Sequence, residues 1–130
     1  MSLQICIMTP DQIFLNDLAD EIILPTNTGQ MGVLANHAPL ISALDIGVML
    51  VRQQNTWKSI ALMGGFALIQ QNQVTILVNE AESPSTINKE EAESTFNEAK
   101  LRFEQAEGQK QKVEANFAFK RARARYQLVQ

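Results

Sequence analysis

One histidine, one cysteine, one pair of adjacent glycines and one run of cations are the places where this chain could do chemistry. His37 stands in Asn36-His37-Ala38-Pro39. To act as a general base it would need a hydroxyl or thiol to activate and a carboxylate to orient it, and Ser42 and Asp45 are near it in sequence only. A turn histidine bonded locally is the better reading. One histidine without cysteine or carboxylate spacing makes no metal site. Cys6 can form no internal disulfide, fits a reducing compartment, and reads as buried packing in an apolar strand. Met63-Gly64-Gly65-Phe66 lacks the Lys-Ser/Thr and the following helix of a phosphate loop, so it reads as a glycine-permitted bulge between strands. These residues predict no catalytic centre, no bound cofactor and no metal.

The cations are more informative. Phe119-Lys120-Arg121-Ala122-Arg123-Ala124-Arg125 holds four positive charges and no acid. On a helix, Arg121 and Arg125 share a face while Lys120 and Arg123 point elsewhere, so the charge forms a sleeve. Cations near a helix C-terminus complement its dipole, but four in six residues exceed that need and predict an acidic partner. Nucleic acid is disfavoured, because the chain is acidic overall and no aromatic stacking set accompanies the cations.

The elements that must position these residues change character at Pro84. All four prolines and five of the six glycines lie at or before it, and the last 46 residues contain only Gly108. Charge divides there too, at −5 for residues 1–84 and +2 for residues 85–130. Apolar and β-branched runs recur before the break: Leu3–Met8, Gln12–Leu15, Glu21–Leu24, Met31–Leu34, Leu40–Ala43, Val48–Gln53, Lys58–Met63, Phe66–Gln70 and Val74–Asn79. Turn signals separate them at Asn27-Thr28-Gly29, Asp45-Ile46-Gly47, Gln54-Asn55 and Gln71-Asn72. No run is followed by a crossover helix, so a parallel sheet is disfavoured and an antiparallel sandwich or flattened barrel is expected. Val48-Met49-Leu50-Val51 and Ile60-Ala61-Leu62-Met63 lack alternation, which predicts strands covered on both faces.

After the break, Asn88 is an N-cap with Glu90 and Glu91 in the first turn. An apolar stripe follows at Ala92, Phe96, Ala99, Phe103 and Ala106, and Gly108 is expected to end the helix as a left-handed cap. A second helix is expected from about Lys110 to Leu128, with Val113, Phe117, Ala124 and Leu128 on one side and Ala115, Ala118, Ala122 and Val129 on another. The short connector makes the pair an antiparallel hairpin. Its alanine-rich stripe suits close approach and not a deep core, so the hairpin is marginal by itself and must lean on the sheet or on another protein. A hairpin able to use either is a switch. The chain is thus expected to be α+β, with a β-sandwich over 1–84 and a helical hairpin over 85–130. No apolar run approaches the ~20 residues of a bilayer crossing, and the start lacks the features of a secretory signal.

Asn27-Thr28-Gly29-Gln30-Met31-Gly32-Val33-Leu34-Ala35-Asn36-His37-Ala38-Pro39-Leu40, Ala61-Leu62-Met63-Gly64-Gly65-Phe66 and Leu77-Val78-Asn79-Glu80-Ala81-Glu82 together closely resemble the epsilon subunit family of the rotary, proton-translocating F-type ATP synthase. The resemblance continues through Ala106-Glu107-Gly108, Glu114-Ala115-Asn116 and Arg121-Ala122-Arg123, covers essentially the whole chain, and is nearest the chloroplast and cyanobacterial branch. It implies a non-catalytic central-stalk subunit, one copy per complex and monomeric alone, on the cytoplasmic or stromal side of a thylakoid membrane. Thr28, Gly29, Gln30 and Met31 would face the membrane c-ring, and Asn36, His37, Ala38 and Pro39 the gamma shaft. Lys120, Arg121, Arg123 and Arg125 would meet acidic loops of the catalytic beta subunits and oppose ATP hydrolysis. Two positions depart from the family pattern. Ala35 replaces a common proline, which leaves its turn less rigid. The Ile-Asp-x-x-Arg-Ala pattern of ATP-binding bacterial relatives reads Ile87-Asn88-Lys89-Glu90-Glu91-Ala92 here, so little or no ATP binding is expected. The alternative from another class is a free-standing sandwich module that dimerises through its helical tail. A small hydrolase centred on His37 lacks its partner residues.

Overall fold

The computed structural model describes residues 2–130. Eight strands precede two helices: β1 (Leu3–Met8), β2 (Ile13–Ala19), β3 (Glu21–Thr26), β4 (Gly29–Leu34), β5 (Leu40–Gln53), β6 (Thr56–Gln70), β7 (Gln73–Val78) and β8 (Ala81–Glu82), then a 3-10 turn at Pro84–Thr86, α1 (Lys89–Gln105) and α2 (Gly108–Val129). The strands hydrogen-bond in the order β2-β1-β7-β6-β5-β3-β4, with β8 also on β6. Gln54-Asn55 and Gln71-Asn72 take positive φ at both positions, as the two-residue hairpins joining β5 to β6 and β6 to β7 require. Among the described residues pairing is antiparallel with one exception: β1 lies parallel to β7, from Gln4↔Gln73 to Met8↔Leu77. The expected antiparallel sandwich thus carries one parallel pair. No helix makes that crossover, because the rest of the sandwich connects these two strands.

Four of the expected runs are two long strands. Asp45-Ile46-Gly47 is no turn: Leu44↔Gly65 and Ile46↔Met63 bracket it in unbroken register. What changes there is which face each residue shows. Ile60 and Leu62 point into the sandwich, but so do Ala67 and Ile69, an odd-numbered pair. On β5 the inward set changes from Leu44 to Met49 and Val51. Both strands flip together at Asp45 and Gly64-Gly65 and so pass from one layer of the sandwich into the other. Gly64 and Gly65 have φ of +80° and +153°, and a Cβ on Gly65 would collide with the Leu77 carbonyl and Val78. Side chains cannot follow the chain through this bend.

The main core is Leu3, Ile5, Ile7, Ile22, Leu24, Val33, Met49, Leu62, Ile69, Val74 and Ile76 with smaller neighbours. Cys6 points away from it and is half-buried, so the expected packing role is corrected; its neighbours Ile5 and Ile7 hold the inward positions. A second core explains the missing alternation. Ala61 and Met63 on β6, with Ile46 and Val48 on β5, cover Ile87, Ala92, Ala124, Leu128 and Val129. These strands are covered on both faces because α2 lies folded on the sandwich.

Asn88 caps α1, its Oδ1 accepting from the Glu91 amide at 2.9 Å. Gly108, with φ +77°, opens α2 and does not close α1, which ends at Ala106 in extended backbone. Between the helices Ala99, Ala115 and Ala122 are buried, beside a ladder of rings: Tyr126 on Phe96 at 5.2 Å, Phe96 on Phe119 at 5.6 Å and Phe119 on Phe103 at 5.5 Å. Val113 and Phe117 are exposed, so the expected stripe is corrected: only its C-terminal half, Ala124 and Leu128, reaches a surface able to bury it. Leu128→Ala should weaken docking by about 2 kcal/mol. Amide exchange in the last two turns of α2 should then quicken roughly thirtyfold while β7 amides keep their protection.

Candidate functional site

The cationic sleeve sits in the C-terminal half of α2 but ahead of its last turn, because the helix continues to Val129. Complementing the helix dipole therefore does not account for it. The acidic partner is in the same chain. Lys120 Nζ reaches the Asp45 carboxylate at 3.2 and 3.3 Å, at the point where β5 crosses between layers. Arg121 Nη2 donates to Glu80 at 2.9 Å. Arg125 Nε donates to both Glu82 oxygens at 3.1 and 3.2 Å, and its two Nη atoms reach Glu91 at 3.3 and 3.4 Å. Arg123 lies over the Phe119 ring, 5.3 Å from the centroid.

Short backbone pairings place these acids. β8 exists through Ala61↔Glu82 and Leu62↔Ala81, and the Met63 amide bonds to the Glu80 carbonyl at 3.1 Å. Glu80 and Glu82 are thereby presented along the edge of the surface that receives α2. Glu91 arrives from α1, one turn after the Asn88 cap. Arg125 thus joins β8, α1 and α2 through one guanidinium.

The remaining sites from the sequence are spread over the sandwich. Thr28, Gly29 and Gln30 are exposed at the β3–β4 turn, while Met31 packs partly against the core. Asn36, His37, Ala38 and Pro39 form the β4–β5 connection at the other end of β4, about 20 Å away along the strand. The Asn36 amide bonds to Asn72 Oδ1 at 2.6 Å, which ties this loop to the β6–β7 turn. His37 Nδ1 donates to the Ala38 carbonyl at 2.7 Å, so the ring is locally bonded as expected. Among the described residues no group of His, Cys, Asp and Glu is arranged to hold a metal.

One surface was not read from the sequence. The face flip at Gly64-Gly65 turns Phe66 and Leu68 outward, and the register aligns Ala43, Phe66, Leu77, Met8 and Ile13 in one row across five strands. Ile41 pairs with Leu68 beside it. Ile41 is 71% exposed, Ile13 60% and Phe66 58%, a contiguous apolar face larger than scattered surface residues would make. The even spacing of Phe66 and Leu68 after the glycine pair was the available signal.

Models of two families match the chain: the ATP synthase delta/epsilon chain β-sandwich domain over residues 2–84 and the long α-helix domain of the same chain over residues 85–130. The chain belongs to the delta/epsilon chain family of ATP synthase. It is an epsilon-type subunit. It is 74% identical to the chloroplast ATP synthase epsilon chain of Oltmannsiellopsis viridis over 129 residues, 99% of this chain and 98% of that one. The chloroplast epsilon chain of Chlorella vulgaris is 72% identical over 129 residues, 99% and 96% of the two chains. Among solved structures, a chain of the Euglena gracilis mitochondrial ATP synthase shares the fold with TM-score 0.83 at 23% identity, over 95% of this chain and 78% of that one. A chain of the Tetrahymena thermophila mitochondrial ATP synthase central stalk and c-ring shares it with TM-score 0.70 at 15% identity, over 100% and 98%. No helix among the described residues is long and apolar enough to cross a membrane.

Hydrogen bonds from Arg125, and then its charge, hold the Glu91 carboxyl below the ordinary glutamate value of 4.5. Burial pushes the Arg125 guanidinium down, but its bonds to Glu91 and Glu82 outweigh that and leave it raised. A carboxyl lowered in the folded state stabilises it fully above the unfolded value and loses that contribution as pH falls through the folded one. Protection of α2 amides, corrected for intrinsic exchange, should therefore be flat near neutrality and fall below about pH 4.5. Arg125→Gln should remove that acid-dependent part.

Proposed function

We propose that this chain is the non-catalytic coupling and regulatory subunit of a proton-translocating ATP synthase on the stromal side of a thylakoid membrane, present as one copy per complex. The observation that carries this reading is the identity to chloroplast epsilon chains over nearly the whole length. The sandwich does the coupling. Its β4–β5 connection, Asn36–Pro39, leads directly into Leu40 and Ile41 and so into the apolar face of Phe66, Leu68 and Leu77, a surface suited to bury against the gamma shaft. Thr28, Gly29 and Gln30, with Met31 behind them, lie at the β3–β4 turn, at the other end of β4, and meet the c-ring. One rigid strand, β4, separates the two contacts, so the sandwich can transmit torque between them.

The hairpin does the regulating. In the folded arrangement Lys120, Arg121 and Arg125 are spent on the chain's own acids, and only a hairpin that leaves the sheet can offer them, with Arg123, to acidic loops of the beta subunits. This conformation is the one that does not restrain hydrolysis. ATP is not its ligand: Glu91 stands beside Arg125, where a phosphate would meet carboxylates. The free-standing dimeric module is set aside, because Ala124 and Leu128, half of the seam it needs, are covered by the sheet.

A complex carrying residues 1–84 in place of the full chain should assemble and couple but hydrolyse ATP several-fold faster when the proton gradient is absent. Alanine at Lys120, Arg121, Arg123 and Arg125 should raise hydrolysis likewise and flatten its salt dependence. Unchanged inhibition by the truncated chain would place the regulatory element outside the hairpin.

A further inference from the structure

The acids that receive the cations lie on a different element in each case, yet all face one side of α2. Asp45 holds Lys120 from the bend of β5, Glu80 holds Arg121 from the residue before β8, and Glu82 holds Arg125 from β8 itself. They reproduce, within the chain, the kind of acidic surface that the same cations would need on another protein. We propose that Asp45, Glu80 and Glu82 form an internal competitor for the inhibitory cations, with the Glu82–Arg125 contact setting the balance; this rests on the inhibitory role given to the hairpin above.

The three contacts are unequal. Arg125 is 14% exposed and Glu82 20%, whereas Arg121 and Glu80 are 38% and 53% exposed. Solvent and salt screen the outer pair most, so the inner one contributes most to holding α2 down. Arg125 is also the contact that reports on the whole assembly, since its Nε bonds to the sheet edge and its Nη atoms to α1. Leaving the sandwich for an acidic partner exchanges carboxylate for carboxylate, so the charge terms of the two states nearly cancel. A switch built this way stays poised, and modest changes in the acids bias it. Neutralising the competitor leaves every cation in place and therefore strengthens inhibition, the reverse of what removing the cations does.

The test uses the isosteric double substitution Asp45→Asn with Glu82→Gln, compared with Arg125→Gln and with Asp11→Asn, a charge change in the exposed β1–β2 loop. In the isolated full chain, amide exchange across residues 118–128 should quicken roughly three- to tenfold for the double variant, the size of one or two partly exposed pairs, with β7 amides unchanged. Arg125→Gln should quicken it comparably and Asp11→Asn should not. In the reconstituted complex without a gradient, the double variant should hydrolyse ATP more slowly than wild type, and Arg125→Gln faster. Unchanged exchange in the double variant overturns the competitor. Quickened exchange with wild-type hydrolysis also overturns it, and assigns the failure to the inhibitory reading of the cations and not to the contacts themselves.

Discussion

The structure depends on two strands that are covered on both faces. β5 and β6 contribute Met49, Val51 and Leu62 to the sandwich interior and, through the residues between them, Val48, Ala61 and Met63 to the surface under α2. Neither core could exist with simple alternation of polar and apolar residues. The bend at Asp45 and Gly64-Gly65 lets the same pair of strands turn its other half outward, where Ile41, Phe66 and Leu68 remain uncovered. One geometric device thus separates a face used within the chain from a face available to a partner.

The hairpin is held by small side chains and by charges, and this determines how firmly it sits. Its buried residues on α2 are three alanines and one leucine apart from its partly covered rings. Alanine allows close approach but hides little area, so burial alone leaves the docked state weakly preferred. Partly exposed ion pairs add little each. The sum is an element that is ordered against its own sandwich but not committed to it, as the regulatory role proposed for it requires.

Much of this was legible in the sequence. The strand runs, the change at Pro84, the Asn88 cap, the two Asn-containing hairpin turns and the double coverage of β5 and β6 all follow from periodicity and turn chemistry. The errors have physical causes. Asp45-Ile46-Gly47 has turn-forming residues, yet hydrogen bonding on either side carries the strand through. Gly108 supplies positive φ on the far side of a two-residue connector, a difference that composition does not resolve. Val113 and Phe117 continue the helical stripe past the edge of the surface it packs on. The partners of the cations lie 75, 41 and 43 residues away, a separation at which no local pattern operates. That Thr28–Met31 and Asn36–Pro39 lie at opposite ends of one strand follows from the Met31–Leu34 run, whereas the roles proposed for them toward shaft and ring come from resemblance.

The hairpin owes its order to the sandwich it packs on. Circular dichroism of the fragment 85–130 alone, in dilute buffer, tests that directly. The expected spectrum is weakly helical with a broad, non-cooperative melt, and helicity rises when the fragment 1–84 is added. A sharp, concentration-independent melt of the isolated hairpin at high temperature would contradict it.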